Sequence, residues 1–160
     1  MSDDSAINSE ETLEPVPRGS VVVGHDGSDG ADAALATALE FATQLRAPVY
    51  ILRAWSIATA PRPADWAFGY VSSSEELERA VLDELQRSVR GFAQRFPDVG
   101  VSCLAVQGSP AKSLIDASAT ARMLVVGSRG LGGLAEMLLG SVSDQVIRHA
   151  HCPVLVVKAA

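Results

Sequence analysis

Apolar residues recur along this chain in two alternating rhythms. Ser20-Val21-Val22-Val23-Gly24 is a short unbroken apolar run that stops at glycine, the pattern of a strand buried on both faces. From Ala31 to Arg46 the rhythm changes, with Ala34, Leu35, Ala38, Leu39, Ala42 and Leu45 at helical spacing. Ser28 or Asp29 can cap that helix, and Asp32 suits the positive end of its dipole. The alternation then repeats. Val49–Leu52 reads as a second strand and Glu75–Phe96 as a second helix, opened by a Ser73/Glu76 capping box. Val101–Val106, Met123–Val126 and Val154–Val157 read as strands three to five. The third helix spans Ser109–Thr120, with Pro110 tolerated in its first turn, and the fourth spans Ser141–His149. Strands alternating with helices predict an α/β domain, a five-stranded parallel sheet with right-handed crossovers and helices on both faces.

The opening stretch breaks this pattern. Residues 1–18 hold Ser, Asp, Glu and two prolines with little to bury, which predicts a mobile acidic tail ahead of a single domain over residues 19–160. At 160 residues and 48% hydrophobic there is material for one continuous core. The formal net charge is −6, and the basic residues are scattered. Nucleic acid or an anionic membrane surface needs a concentrated positive field, so neither is an expected partner. No apolar run approaches the roughly 20 residues of a membrane-spanning helix, and the first residues lack the basic and apolar regions of a secretory leader. Cys103 and Cys152 show no framework spacing. The expected location is the cytoplasm.

Candidate chemistry concentrates in two loops. Gly24-His25-Asp26-Gly27-Ser28-Asp29-Gly30 follows the first strand, and Gly127-Ser128-Arg129-Gly130-Leu131-Gly132-Gly133 follows the fourth, running on to Gly140-Ser141. In open parallel sheets ligands bind beyond the carboxyl ends of the strands, where the strand order reverses. A sheet in the order 3-2-1-4-5 places both loops on one crevice. Glycines let a backbone come close to phosphate oxygens and take positive φ, and successive N–H groups form an anion-binding concavity. The start of the fourth helix adds unpaired N–H groups and partial positive charge. The Ser141 hydroxyl suits either a helix cap or a phosphate donor, and tight turns are the alternative use of the glycines.

Gly127-x-x-Gly130, nine residues, then Gly140-Ser141 resembles the G-x2-G-x9-G-S/T signature of ATP-binding universal stress proteins. The similarity extends to Val22–Ser28 near the start, to Gly108-Ser109-Pro110, and to Cys152–Val157 at the end. It implies a doubly wound, Rossmann-like sheet in the order 3-2-1-4-5, and a regulatory protein of the stress response that binds ATP with Mg²⁺. It also implies a homodimer joined through the fifth strand, Val154–Val157, a short apolar edge that invites association. By the same resemblance Gly24 belongs to the first nucleotide loop and Asp26 holds the ribose or adenine. Ala54, just beyond the second strand, offers its backbone to the adenine edge. Gly127, Arg129 and Gly130 wrap ribose and phosphates, while Gly140, Ser141, Val142 and Ser143 bind the phosphate chain. Two residues depart from the family pattern. Arg122 stands where Asp is frequent, and Ala54 is smaller than the usual Val.

Other chemistry is thinner. His149-x-His151 beside Cys152 lacks a fourth zinc ligand. His25 fits a buried, hydrogen-bonded histidine, and Arg129 either offsets phosphate charge or is solvated. The segment Trp55–Ser72, with Trp66, Phe68 and Tyr70, suits a lid over the nucleotide, a subunit contact or packing on the second helix. A P-loop is excluded because G-x4-G-K-S/T is absent, and a receiver domain because Val106-Gln107-Gly108 stands where its acceptor Asp is needed. No catalytic residue is expected, since Asp26 is the one candidate base and fast phosphoryl transfer needs more. Cyclic AMP in place of ATP, or slow ATP hydrolysis with self-phosphorylation near Ser141 and Ser143, are the alternatives.

Overall fold

The computed structural model describes residues 16–61, 72–131, 136 and 138–159. Among these described residues nine elements follow in strict alternation: β1 Val21–Gly24, α1 Asp29–Leu45, β2 Val49–Trp55, α2 Ser74–Gln94, β3 Val101–Gln107, α3 Pro110–Ala117, β4 Met123–Gly127, α4 Ser141–His149 and β5 Val154–Val157. The sheet is wholly parallel in the order β3-β2-β1-β4-β5, so it is doubly wound, with the reversal between β1 and β4.

Alternation of side chains along each strand divides the core in two. Val21 and Val23 face α1 and α2, packing with Leu35, Leu39, Ile51, Leu85 and Val125. Val22 faces α3 and α4, with Leu52, Leu114, Leu124, Val126 and Val146. Val21, Val22 and Val23 are wholly buried, as expected for a central strand covered on both faces. Ala34, Ala38 and Ala42 let α1 lie close on the sheet. Its Ser28 cap accepts from the Ala31 N–H at 3.1 Å, and Arg46 ends it in the left-handed region at φ 51°. The capping box of α2 is present in both halves: Glu76 N–H to Ser73 Oγ at 3.2 Å, and Ser73 N–H to Glu76 Oε2 at 3.1 Å.

Three expectations change. β2 runs three residues beyond Leu52, so Ala54 lies inside the strand, opposite Val106, and not after it. The third helix stops at Ala117, where Ser118 caps it. At the front, Val16 is buried against Leu124, Ala117 and their neighbours, and its carbonyl accepts from Thr120 Oγ1 at 2.5 Å. The packed chain therefore starts at or before Val16, since that single valine finds the groove beside α3. Residues 1–15 of the expected tail, and Trp66, Phe68 and Tyr70, lie outside the described residues.

Candidate functional site

Beyond the carboxyl ends of β1 and β4 a cavity of ≈ 320 Å³ opens between the two glycine-rich loops, and all ten sequence-predicted residues line it. They are Gly24, Asp26, Ala54, Gly127, Arg129, Gly130, Gly140, Ser141, Val142 and Ser143. The walls differ in character. Leu52, Ala54, Pro110, Leu114 and Val126 from β2, α3 and β4 make an apolar slot. Gly130, Arg129 and the start of α4 make the polar side.

The start of α4 is built differently from the other helix starts. Ser28, Ser73 and Ser109 cap α1, α2 and α3 with their hydroxyls, whereas the α4 cap is Gly140, with no side-chain bond. Ser141 is the first helical residue and not the cap, which settles one of its two roles. Ser143 is buried and turned inward, its Oγ donating to the Ser128 carbonyl at 3.1 Å and contacting the Gly140 carbonyl at 3.4 Å. The same Ser128 carbonyl accepts the Gly140 N–H at 2.6 Å, fixing the helix start against the loop. The N–H groups of Ser141, Val142 and Ser143 have no carbonyl within the helix to pair with. They face the cavity as a cluster of donors at the positive end of the helix dipole.

The signature glycines serve close approach, not positive φ. Among the described glycines only Gly19, Gly27 and Gly108 have positive φ. A Cβ on Gly127 would stand 2.9 Å from the Gly30 carbonyl oxygen, and one on Gly30 would stand 2.9 Å from the Arg129 carbonyl oxygen. These two glycines let the β4 loop lie backbone-to-backbone on the first turn of α1. A Cβ on Gly24 would meet Leu114 Cδ1 at 2.9 Å, so this glycine admits α3 to the slot. A Cβ on Gly130 would fall 2.5 Å from Asp26 Oδ2, and one on Gly140 3.4 Å from Arg129 Cα.

Asp26 joins the two loops. Its Oδ1 accepts from Ser28 N–H at 3.0 Å and Ser28 Oγ at 2.6 Å, and its Oδ2 accepts from Leu131 N–H at 2.9 Å across the cleft. Burial pushes the carboxyl up, but these hydrogen bonds outweigh it and hold Asp26 below the ordinary aspartate value. It is an anion at this end of the cleft. His25 is buried, its Nε2 2.9 Å from Asp32 Oδ1, as expected of a satisfied histidine.

Sequence reading missed the support behind this loop. Arg53 of β2 reaches the His25 carbonyl and ring, and Leu131 supplies the amide that Asp26 holds. A lone arginine inside an otherwise apolar strand was the available signal for Arg53; a backbone amide leaves none. His149 and His151 are exposed, and the described residues contain no group of three His, Cys, Asp or Glu able to hold a metal ion. Both cysteines are free thiols.

This fold is that of a known class. The model of the universal stress protein family matches residues 17–158, and the chain belongs to that family. It is 36% identical over 155 residues to universal stress protein Rv2005c of Mycobacterium tuberculosis, a match covering 96% of this chain and 50% of the relative. The chain thus spans about half the length of the curated relatives it matches. Among solved structures, the universal stress protein UspA from Lactobacillus plantarum superposes with a TM-score of 0.69 at 22% identity, over 89% of this chain and 99% of the other. A universal stress protein in complex with cAMP superposes with a TM-score of 0.65 at 26% identity, over 91% and 100%.

Proposed function

We propose that this chain is an ATP-binding regulatory protein of the stress response, with the nucleotide in the cleft between the β1 and β4 loops. The observation that carries this reading is the α4 start. Three N–H groups without helix partners open on a cavity whose other wall is an apolar slot that includes Ala54 and Leu114. A nucleotide has that same division, a flat apolar base at one end and phosphate charge at the other. Asp26 lies between the loops, where it accepts from sugar hydroxyls and repels phosphate, so it sets which way round the ligand lies. Arg129 adds positive charge on the phosphate side. A Mg²⁺ ion would be held by phosphate oxygens, with no metal cluster of the described residues beneath it.

The family name supports a role in stress. Among the described residues that line the cleft, the candidate bases His25 and Asp26 are both held in hydrogen bonds to the protein, so we take the protein to act by binding rather than turnover, with slow hydrolysis or self-phosphorylation as the most it could support. Among the described residues β5 pairs with β4 alone, and its four residues are only half-buried, which supports a homodimer through Val154–Val157. Among the described residues no helix is long and apolar enough to cross a membrane, and we place the protein in the cytoplasm. Cyclic AMP is the second reading, favoured by the similar protein solved with it.

Calorimetry with ATP, cyclic AMP and adenosine tests this. Gly130→Glu should abolish ATP binding, because the new carboxylate meets both Asp26 and phosphate, while adenosine loses far less. Equal affinity of parent and variant for ATP would show that the cleft is not the phosphate site. Tighter binding of cyclic AMP than of ATP would move the ligand to the second reading. Sedimentation equilibrium at twice the 16.7 kDa chain mass is expected for the dimer; a monomer at micromolar concentration refutes it.

A further inference from the structure

Arg53 does not line the cleft, yet it holds one of its walls. It stands in β2 on the opposite face from Ala54, and its guanidinium donates twice to one residue. Nε donates to the His25 carbonyl at 3.1 Å and Nη2 to His25 Nδ1 at 2.9 Å. The Gly27 N–H points at the same ring nitrogen, at 3.2 Å. A nitrogen that accepts from two donors carries no proton, so the imidazole proton sits on Nε2 and is donated to Asp32 Oδ1 in the first turn of α1. The His25 side chain is fully buried, while its Asp32 partner is partly exposed. Gly27 completes the turn at φ +88°, and between His25 and Gly27 stands Asp26.

We propose that Arg53 is a positioning residue for the nucleotide cleft: through a neutral His25 it fixes the turn that presents Asp26, and a proton taken up by His25 releases that turn and weakens nucleotide binding. The inference rests on the nucleotide reading above. A second ring proton would put N–H against the Gly27 N–H and against a guanidinium. The groups facing the ring are Arg53 from β2, Asp32 from α1 and Asp26 from the loop itself. Behind Arg53, the Cys103 thiol of β3 is raised by burial and stays neutral. Burial first, and then the Arg53 charge, hold His25 below its ordinary value against the pull of Asp32 and Asp26. The release therefore belongs to acid conditions, below about pH 6.5.

The test compares the full chain with Arg53→Met, Arg53→Lys and His25→Gln. ATP affinity is measured by calorimetry from about pH 5 to pH 8, and the His25 ring is followed by nitrogen NMR. Taking each variant as a ratio to the parent cancels the ligand's own protonation. In the parent the ring should be the Nε2–H tautomer at neutral pH. Arg53→Met should lose that fixed tautomer, titrate at higher pH, and bind ATP about tenfold more weakly at neutrality, with the parent's acid loss moved upward in pH. Arg53→Lys, which keeps the charge but not the two-pronged grip, should fall between. Taken as a ratio to the parent, the affinity of His25→Gln should rise as the pH falls, since only the parent has a ring to protonate. Arg53→Met with parental affinity and pH profile overturns the proposal, even if its melting temperature falls, as does an Nδ1–H tautomer in the parent. If Arg53→Met does not fold, the Arg53→Lys profile decides, and a profile matching the parent's overturns it. A parent that binds ATP at no pH overturns the nucleotide reading and this role with it, whereas a binding parent with an indifferent Arg53→Met overturns this role alone.

Discussion

Gly130→Ala is the smallest change that separates contact between the loops from contact with ligand. The added Cβ would stand 2.5 Å from Asp26 Oδ2, against about 3.3 Å for the closest comfortable C···O approach, so something must move by nearly 1 Å. The backbone of the β4 loop is fixed by the Ser128 carbonyl, which already holds the Gly140 N–H at 2.6 Å. Asp26 is the softer partner, and swinging it away loosens its 2.9 Å bond to the Leu131 N–H. A hydrogen bond to a charged acceptor contributes about 1.5–3 kcal/mol, and its exposure here reduces that to about 1 kcal/mol. For a chain of this size the melting temperature should fall by about 2–4 °C. The discriminating assay is a double-mutant cycle with Asp26→Ala, read by thermal or urea unfolding. With the carboxylate gone, the methyl group has room, and Gly130→Ala should cost almost nothing. A coupling of about 1 kcal/mol is expected; additivity within about 0.3 kcal/mol would mean that Asp26 does not stand against Gly130.

Three further outcomes follow from the same structure. Ser73→Ala removes one half of the α2 capping box and should destabilise by about 1 kcal/mol in urea unfolding, with no change in ATP affinity. Val16→Asp should lower stability by more than 1 kcal/mol, because a buried carboxylate replaces a packed valine; an unchanged melting temperature would detach that residue from the core. Stability should also fall in acid through His25. Its folded-state value lies below the ordinary 6.5, so the unfolded chain binds the extra proton, and the contribution is complete above pH 6.5 and lost as pH falls from there towards the folded value. Asp26 acts lower down, present above 3.8 and lost as pH drops through its depressed value. His25→Gln should flatten the first of these limbs in melts recorded across pH, and a parent melt that is level from pH 7 to pH 5 would contradict it.

Most of the fold was legible because it depends on period alone. The apolar runs at Val21–Val23 and Val154–Val157 and the spaced alanines of α1 identify their elements without tertiary knowledge. The Ser73/Glu76 pair likewise marks the start of α2 to within one residue, Ser74 in place of the expected Glu75. β2 was drawn short because Arg53 interrupts its apolar run, and a charged residue there becomes sensible only when His25 is seen behind it. The two glycine loops could be placed on one crevice, since glycines after two strands that meet at the reversal of the sheet must share it, whereas Ala54, Val142 and Ser143 came from the family resemblance alone. Why each glycine is needed was not legible. Gly30, Gly127 and Gly130 are demanded by backbone or carboxylate from distant parts of the chain, and composition cannot tell such an approach from a turn with positive φ. Nor could spacing show that Gly140, not Ser141, caps α4, leaving the donors beneath it open.

Titrating ATP into the nitrogen-labelled protein and following its backbone amides tests the nucleotide reading most directly. If phosphates are held by the start of α4, the largest shifts fall on the amides of Ser141, Val142 and Ser143, with Gly130 and Leu131 next as the ligand meets Asp26. Adenosine should move the residues of the apolar slot, Ala54 and Leu114, but leave the α4 amides nearly in place. If instead ATP moves no α4 amide, or acts mainly at the cleft around Arg46, Asp98 and Gly100 at the opposite end of the sheet, the site proposed for the nucleotide is wrong.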